Sequence, residues 1–211
     1  MDIKYFNGIT PKFIDYKIEK FCKKINYNAK PQYIDVFPME NSIINECVQN
    51  VQNYIKKYGG KAILGWTIWL HPHCMIEAEF HEICMTTSGQ LIDVTPHKDG
   101  NKNILFLEDP SIEYSSFQIN NIRKNISNSI LIDKCIKNWD KIFEIMNKGD
   151  RKYKHGLLNI YGEDANEIIK LQEEIKALLF QYYKDLKLKP NDLCICGSNL
   201  KYINCCKNKI S

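Results

Sequence analysis

The sequence predicts an α+β protein: a small antiparallel sheet flanked by helices, a long C-terminal helix and a C-terminal zinc knuckle. Three observations lead there. Residues 61–95 hold β-rich apolar runs separated by turn residues. Apolar residues recur at helical spacing before and after that block. The tail carries Cys194, Cys196, Cys205 and Cys206 in a C-x-C, eight-residue spacer, C-C arrangement.

Taken in chain order, a helix is expected around Pro11 to Lys24, and little in residues 1–40 is periodic beyond it. Ile44, Cys47, Val48, Val51, Tyr54 and Ile55 line one helical face, with Asn45 as the expected N-cap and Gly59-Gly60 as the stop. Lys61–Trp69 and Cys74–Met85 read as strands. Thr86-Thr87-Ser88-Gly89 reads as a turn, and Gln90–Thr95 as the returning strand. A further short strand fits Ile104–Leu107. After residue 125 the pattern turns helical, with Leu131, Cys135, Trp139, Ile142, Phe143 and Met146 on one face. Asp164 with Glu167 resembles a capping box opening a helix whose stripe runs from Ile168 to Leu186. Lys189-Pro190-Asn191-Asp192 then joins an α+β domain of residues 1–188 to a module of residues 189–211.

Composition narrows the class. Hydrophobic residues make up 44 % and charged residues 26 % of 211, ordinary for a globular chain. The chain holds no apolar run long enough for a membrane span, and Met1-Asp2-Ile3-Lys4-Tyr5 lacks the layout of a signal peptide, so a cytoplasmic protein is expected. Nine cysteines would suggest disulfides in a secreted chain, but outside the knuckle an odd five remain among apolar neighbours, which suits a reducing compartment. Net charge is +4, and from Lys184 onward six lysines face two aspartates. That mild balance is not the footprint of a strong nucleic-acid binder. Arg151-Lys152-Tyr153-Lys154-His155 reads as a solvated loop or a contact for phosphate or an acidic partner.

In the tail, two cysteines one residue apart can turn toward one ion, Gly197-Ser198 permits a reversal, and Cys205-Cys206 supply the remaining corners of a tetrahedron. Lys201, Lys207 and Lys209 are placed to offset the thiolate charge. Cys194, Cys196, Gly197, Ser198, Lys201, Tyr202, Cys205 and Cys206 resemble the SEC-C motif, a small zinc-binding module found on the SecA translocation ATPase and on many unrelated bacterial proteins. The resemblance implies one structural zinc ion per chain. It also implies a protein partner met through the knuckle and a weak contact with nucleic acid or the ribosome.

The second informative segment runs from His71 to His81. Strand alternation sends Glu77, Glu79 and His81 to one face and Cys74, Ile76, Ala78 and Phe80 to the other. A sheet with one wet face would give the same pattern; a cleft would use it for acid and base groups. Cys47, at the start of its helix, would have its thiolate favoured by free N–H groups and the helix dipole. A three-residue loop Thr87-Ser88-Gly89 would put Asp93 opposite Ile83, diagonal to His81 and on the same face. Cys47 as nucleophile, His81 as base and Asp93 as orienter then form a set for acyl transfer. Trp66, Glu77 and Glu79 are the expected walls of the substrate cleft.

Asn45-Glu46-Cys47-Val48-Gln49-Asn50-Val51, the passage from Gly59-Gly60-Lys61 to Gly65-Trp66, Phe80-His81 and Gly89-Gln90-Leu91-Ile92-Asp93-Val94-Thr95-Pro96 resemble the core of transglutaminase-like and other papain-like thiol enzymes, with a shorter His-to-Asp spacing and Glu82-Ile83 standing where those have an aromatic. The resemblance implies a thiol-dependent enzyme acting on an amide or peptide. Two alternatives stay open: a non-catalytic adaptor that binds a protein or peptide, with Cys47 a small core residue, and a second metal site at His71, His73, Glu77 and His81, whose spacing resembles the first half of the cupin metal motif.

Overall fold

The computed structural model describes residues 8–98, 100–154, 158–196, 198 and 200–207. Gly197, Lys209 and His155, each given a role above, lie outside the described residues. The expected α+β architecture is present: a six-stranded antiparallel sheet, four helices ending in a long one, and a C-terminal cysteine cluster.

The first helix, α1 (Tyr16–Ile25), starts at Asp15, whose side chain accepts from the Ile18 N–H. β1 (Gln32–Asp35) follows, then α2 (Cys47–Tyr58), β2 (Lys61–His71), β3 (Met75–Met85), β4 (Leu91–Ile92), β5 (Asn103–Glu108) and β6 (Ile122–Asn125). Strand order is β1-β5-β2-β3-β4, with β6 pairing the other part of the β3 edge. α3 (Ile130–Met146) and α4 (Gly162–Asp185) close the chain ahead of the cysteine cluster. Among the described residues no helix is long and apolar enough to cross a membrane.

The register of β2 on β3 decides what faces where. Trp66 lies opposite Phe80 and Gly65 opposite His81. One face therefore carries Trp66, Ile68, Ile76, Ala78, Leu105 and Leu107, which pack under Ile18, Phe21 and Cys22 of α1. The other carries Ile63, Ile83, Ile104 and Phe106 with Ile34 of β1. Burying each such side chain contributes about 1.5–3 kcal/mol. α2 sets Val51 against Cys84, Ile92 and Val94. α3 and α4 bury Ile132, Cys135, Ile175 and Leu179 against Cys74 and Met75 at the β2–β3 turn, and Ile195 of the C-terminal module enters the same cluster.

Several local expectations change. Asn45 is not the N-cap of α2: its φ of +66° is left-handed, and the helix begins at Cys47 after Glu46. Asp164 does not open a capping box, because its carboxylate is drawn off by Lys148 and Arg151, and α4 starts earlier, at Gly162. β4 is shorter than Gln90–Thr95, since Asp93 leaves β3 to bridge Val36 instead. β1 and β6 lie where no strand was expected.

Gly65 sits where β2 crosses β5. A Cβ there would lie 2.2 Å from the Leu107 carbonyl oxygen and 2.6 Å from the Phe106 ring. Gly65→Ala should therefore destabilise the fold by about 3 kcal/mol, as overpacking of a close backbone approach does; a urea unfolding midpoint unchanged from the parent protein would contradict this account of the crossing.

Candidate active site and cysteine cluster

Asp93 is fully buried, an expensive place for a carboxylate unless its oxygens are all used. They are. Oδ1 accepts from the Thr95 N–H at 2.8 Å. Oδ2 meets His81 Nε2 at 3.0 Å and His97 Nε2 at 2.7 Å. The Asp93 backbone is pinned as well, donating to the Asp35 carbonyl at 3.0 Å and accepting from the Phe37 N–H at 2.7 Å. The turn before it is the expected three-residue one, with Gly89 at φ +85°. Cys84 pairs with Ile92 and Met85 with Leu91, the register such a loop sets, and the chain leaves β3 at Asp93.

An imidazole has two ring nitrogens. With Nε2 of His81 turned to Asp93, Nδ1 is the nitrogen left for a second partner, and Cys47 lines the same cleft, close enough to bear on the charge of the ring. Burial opposes an imidazolium here. The charge and hydrogen bond of Asp93, joined by the thiol, outweigh it and hold His81 well above the ordinary imidazole value. Asp93 is correspondingly held below the usual carboxylate range: burial would raise it, and His81, His97 and the Thr95 N–H prevail. The structure thus brings Cys47, His81 and Asp93 together.

Cys47 reaches His81 because the sheet edge is open there. The β6 pairing covers β3 from Met75 to Ala78 and the β4 pairing covers Cys84 and Met85. Between them, among the described residues, Glu79–Ile83 has no strand neighbour on that side, and the first turn of α2 enters the gap. Asn50 fixes the entry. Its side chain accepts from the Ile43 N–H at 3.0 Å, donates to the Ile43 carbonyl at 2.7 Å, and lies 3.3 Å from Thr95 Oγ1. One buried amide therefore ties the loop before Cys47 to the segment that holds Asp93.

The cleft beside this trio encloses about 360 Å³ and is lined by Trp69, Glu77, Glu79, His81, His97 and Lys98 among others. Glu79 accepts from Trp69 Nε1 at 2.7 Å. Glu77 lines the cleft but is fully engaged by Arg123 at 2.8 Å, Asn121 at 2.9 Å and His71 at 3.0 Å; against the upward push of burial these partners hold its carboxyl at about 2. Arg123 continues the network to Asp140 of α3 at 3.1 Å. Trp66 does not wall the cleft. Pairing with Phe80 puts it on the opposite sheet face from His81, in the core under α1, with Nε1 donating to Asp109 at 2.9 Å. Trp69 takes the place expected of it.

The set His71, His73, Glu77 and His81 is dispersed. His71 is held by Glu77, His81 by Asp93, and His73, at φ +62°, bonds the Leu193 carbonyl at 2.8 Å. Pro72 and the turn at His73 break the alternation that a shared face would need. Among the described residues, the two groups with ligand atoms mutually within 4.8 Å are His81, Asp93 and His97, and the four C-terminal cysteines.

Those cysteines sit on a short hairpin. Leu193 bridges Lys201, and the Cys194 N–H donates to the Leu200 carbonyl at 2.8 Å. A single 3₁₀ turn, Tyr202–Asn204, then delivers Cys205 and Cys206. Sulfur separations are 3.4 Å for Cys194–Cys196, 3.3 Å for Cys196–Cys205 and 3.8 Å for Cys205–Cys206. All four thiols are free. Four thiolates at about 2.3 Å from a tetrahedral ion would lie about 3.8 Å apart, so the cluster is of the size to hold one metal ion and its donors suit a soft or borderline one.

Comparison with protein families, with characterised proteins and with solved structures finds no match for this chain.

Glu82 supplies a pH signature. It is 4 % exposed beside His81, and burial, only partly offset by that imidazole, pushes it up to about 7. Between the ordinary carboxyl range and pH 7 the unfolded chain carries the charge and the folded one does not. Glu82 therefore adds stability at low pH that is lost as pH rises toward 7. Glu82→Gln should gain up to about 3 kcal/mol relative to the parent protein between pH 4 and pH 8, at 1.36 kcal/mol per pH unit; a difference that stays flat in urea unfolding across that range would refute the assignment.

Proposed function

We propose that this protein is a thiol-dependent enzyme acting on an amide or peptide, with a zinc-binding module of SEC-C type at its C-terminus that contacts a protein partner. One observation carries the enzymatic reading: Cys47 shares a cleft with His81, whose Nε2 is fixed on a buried carboxylate.

In this reading His81 takes the thiol proton and Cys47 Sγ attacks the carbonyl carbon of the substrate. The developing oxyanion is met by backbone N–H groups of the first turn of α2, where Cys47, Val48 and Gln49 precede the first intrahelical bond, from Asn50 to Glu46. His81 then delivers its proton to the leaving amine, and the acyl group stays on sulfur until water or another amine removes it. Asp93 keeps the imidazole oriented and stabilises its cation. His97 supports Asp93 from the other side.

A zinc ion held by Cys194, Cys196, Cys205 and Cys206 would cross-link the hairpin, with no open position for substrate. Its role is structural, and the surface around it serves contact.

Two measurements test these roles. Iodoacetamide near neutral pH should alkylate Cys47 at least tenfold faster than Cys22 or Cys135, whose thiols burial pushes up to about 12, and His81→Ala should abolish the difference. Equal, slow labelling would make Cys47 a core thiol and the sheet domain a non-catalytic binding module. Elemental analysis should find one zinc per chain, lost in Cys205→Ser; a zinc content unaffected by that change would remove the metal from the tail.

A further inference from the structure

The cleft at Cys47 is double. Besides the polar chamber of about 360 Å³, a second chamber of about 610 Å³ opens on the other side of the thiol. Ile44, Asn45, Cys47, Glu79, Phe80 and Asn121 are common to both, so the two meet at the nucleophile. Their characters differ. The smaller holds His81, His97, Lys98 and Asn101. The larger is walled mainly by Ile43, Val48, Tyr114, Phe117 and Ile119, with Glu46 and Gln118 as its own polar residues and no cationic side chain. Its aromatic side is built: Phe80 stacks on Tyr114 with centroids 5.2 Å apart and planes 19° apart, and Phe117 meets Tyr153 edge-on at 6.4 Å.

The position of His81 gives the double cleft a direction. The base that removes the thiol proton is the acid that protonates the leaving nitrogen, so the leaving group must lie on the imidazole side of Cys47. His81 lines the polar chamber and not the apolar one. The acyl half of the substrate is left with the chamber of Ile43, Val48, Tyr114, Phe117 and Ile119.

We infer that the substrates are amides whose acyl side carries a large apolar group, aromatic or branched aliphatic, and whose amine side is polar. This rests on the thiol-enzyme reading and adds to it which half of the substrate goes where. In the acylation step the Cys47 S–C bond forms and the C–N bond breaks; the thiol proton passes through His81 to the departing amine. Water then adds to the thioester, releasing the carboxylic acid and restoring the thiol. Selectivity comes from desolvating the apolar acyl group against Phe80, Tyr114 and Ile119, where an anionic group would meet Glu46 and Glu79 and no cation.

Three reagents separate the two readings. Iodoacetamide is too small to use the apolar chamber and reports only the reactivity of Cys47. N-acetyl-phenylalanyl and N-acetyl-aspartyl chloromethyl ketones present an acyl side chain to it. The full chain should react at least tenfold faster with the phenylalanyl reagent than with the aspartyl one. Phe117→Ala, at a position 37 % exposed where the fold should tolerate truncation, should reduce that ratio severalfold and leave the iodoacetamide rate unchanged. Rapid alkylation by iodoacetamide with no preference for phenylalanyl over aspartyl would overturn the acyl-side assignment while the thiol-enzyme reading stands. Failure of iodoacetamide to select Cys47 would overturn both.

Discussion

The Asp93 carboxylate is the constraint around which the sheet domain is arranged. It is fully buried, and an unpaired charge in such a place would destabilise the fold by several kcal/mol. Two imidazoles, one backbone N–H and a strand bridge are spent on it, drawn from β1, β3, the end of β4 and the segment after it. Each group is held in one orientation as a result. Turning His81 Nε2 elsewhere would take from the buried carboxylate one of its two imidazoles, and this holds the ring beside the gap in the β3 edge.

That gap is the second requirement. A continuous β3–β4 or β3–β6 ladder would have covered Glu79–Ile83 and left no room for α2. The short pairings on either side admit the helix end-on, so that its first residue, rather than its buried flank, meets the imidazole. Val51 still packs on Cys84, Ile92 and Val94 in the ordinary way. One helix thereby serves the core with its middle and the cleft with its tip.

Much of this was legible in the sequence because it depends on parity and local turn chemistry. Gly89 in the left-handed region fixes the loop length, loop length fixes the register of Leu91 and Ile92, and Asp93 follows directly, 3.0 Å from His81. The same logic, carried across to β2, would have moved Trp66 to the core, since it lies opposite Phe80. Other parts leave no local trace. β1 buries only Ile34 of its four residues and owes its existence to β5, far along the chain, so no alternation announces it. β6 has no fully buried residue and is anchored by Arg123 on Glu77. His97 carried a weak signal, four residues after Asp93 and just past a proline, but nothing in the pattern said that the chain would curl back on the carboxylate. Asn50 reads as a polar interruption of a helix face until the loop it clasps is seen.

The C-terminal hairpin is joined to the rest of the molecule more intimately than a tail would be. Ile195, between two of the cysteines, is buried with Cys74, Met75, Cys135 and Ile175, and the Leu193 carbonyl and the Tyr182 hydroxyl both grip His73 at the β2–β3 turn. An ion captured by the four sulfurs binds the folded hairpin, and the folded hairpin completes that cluster. Were the sulfurs to hold an ion, its occupancy and the integrity of the α3–α4 layer would be thermodynamically linked, and the melting behaviour of the domain that carries Cys47 would follow free metal concentration.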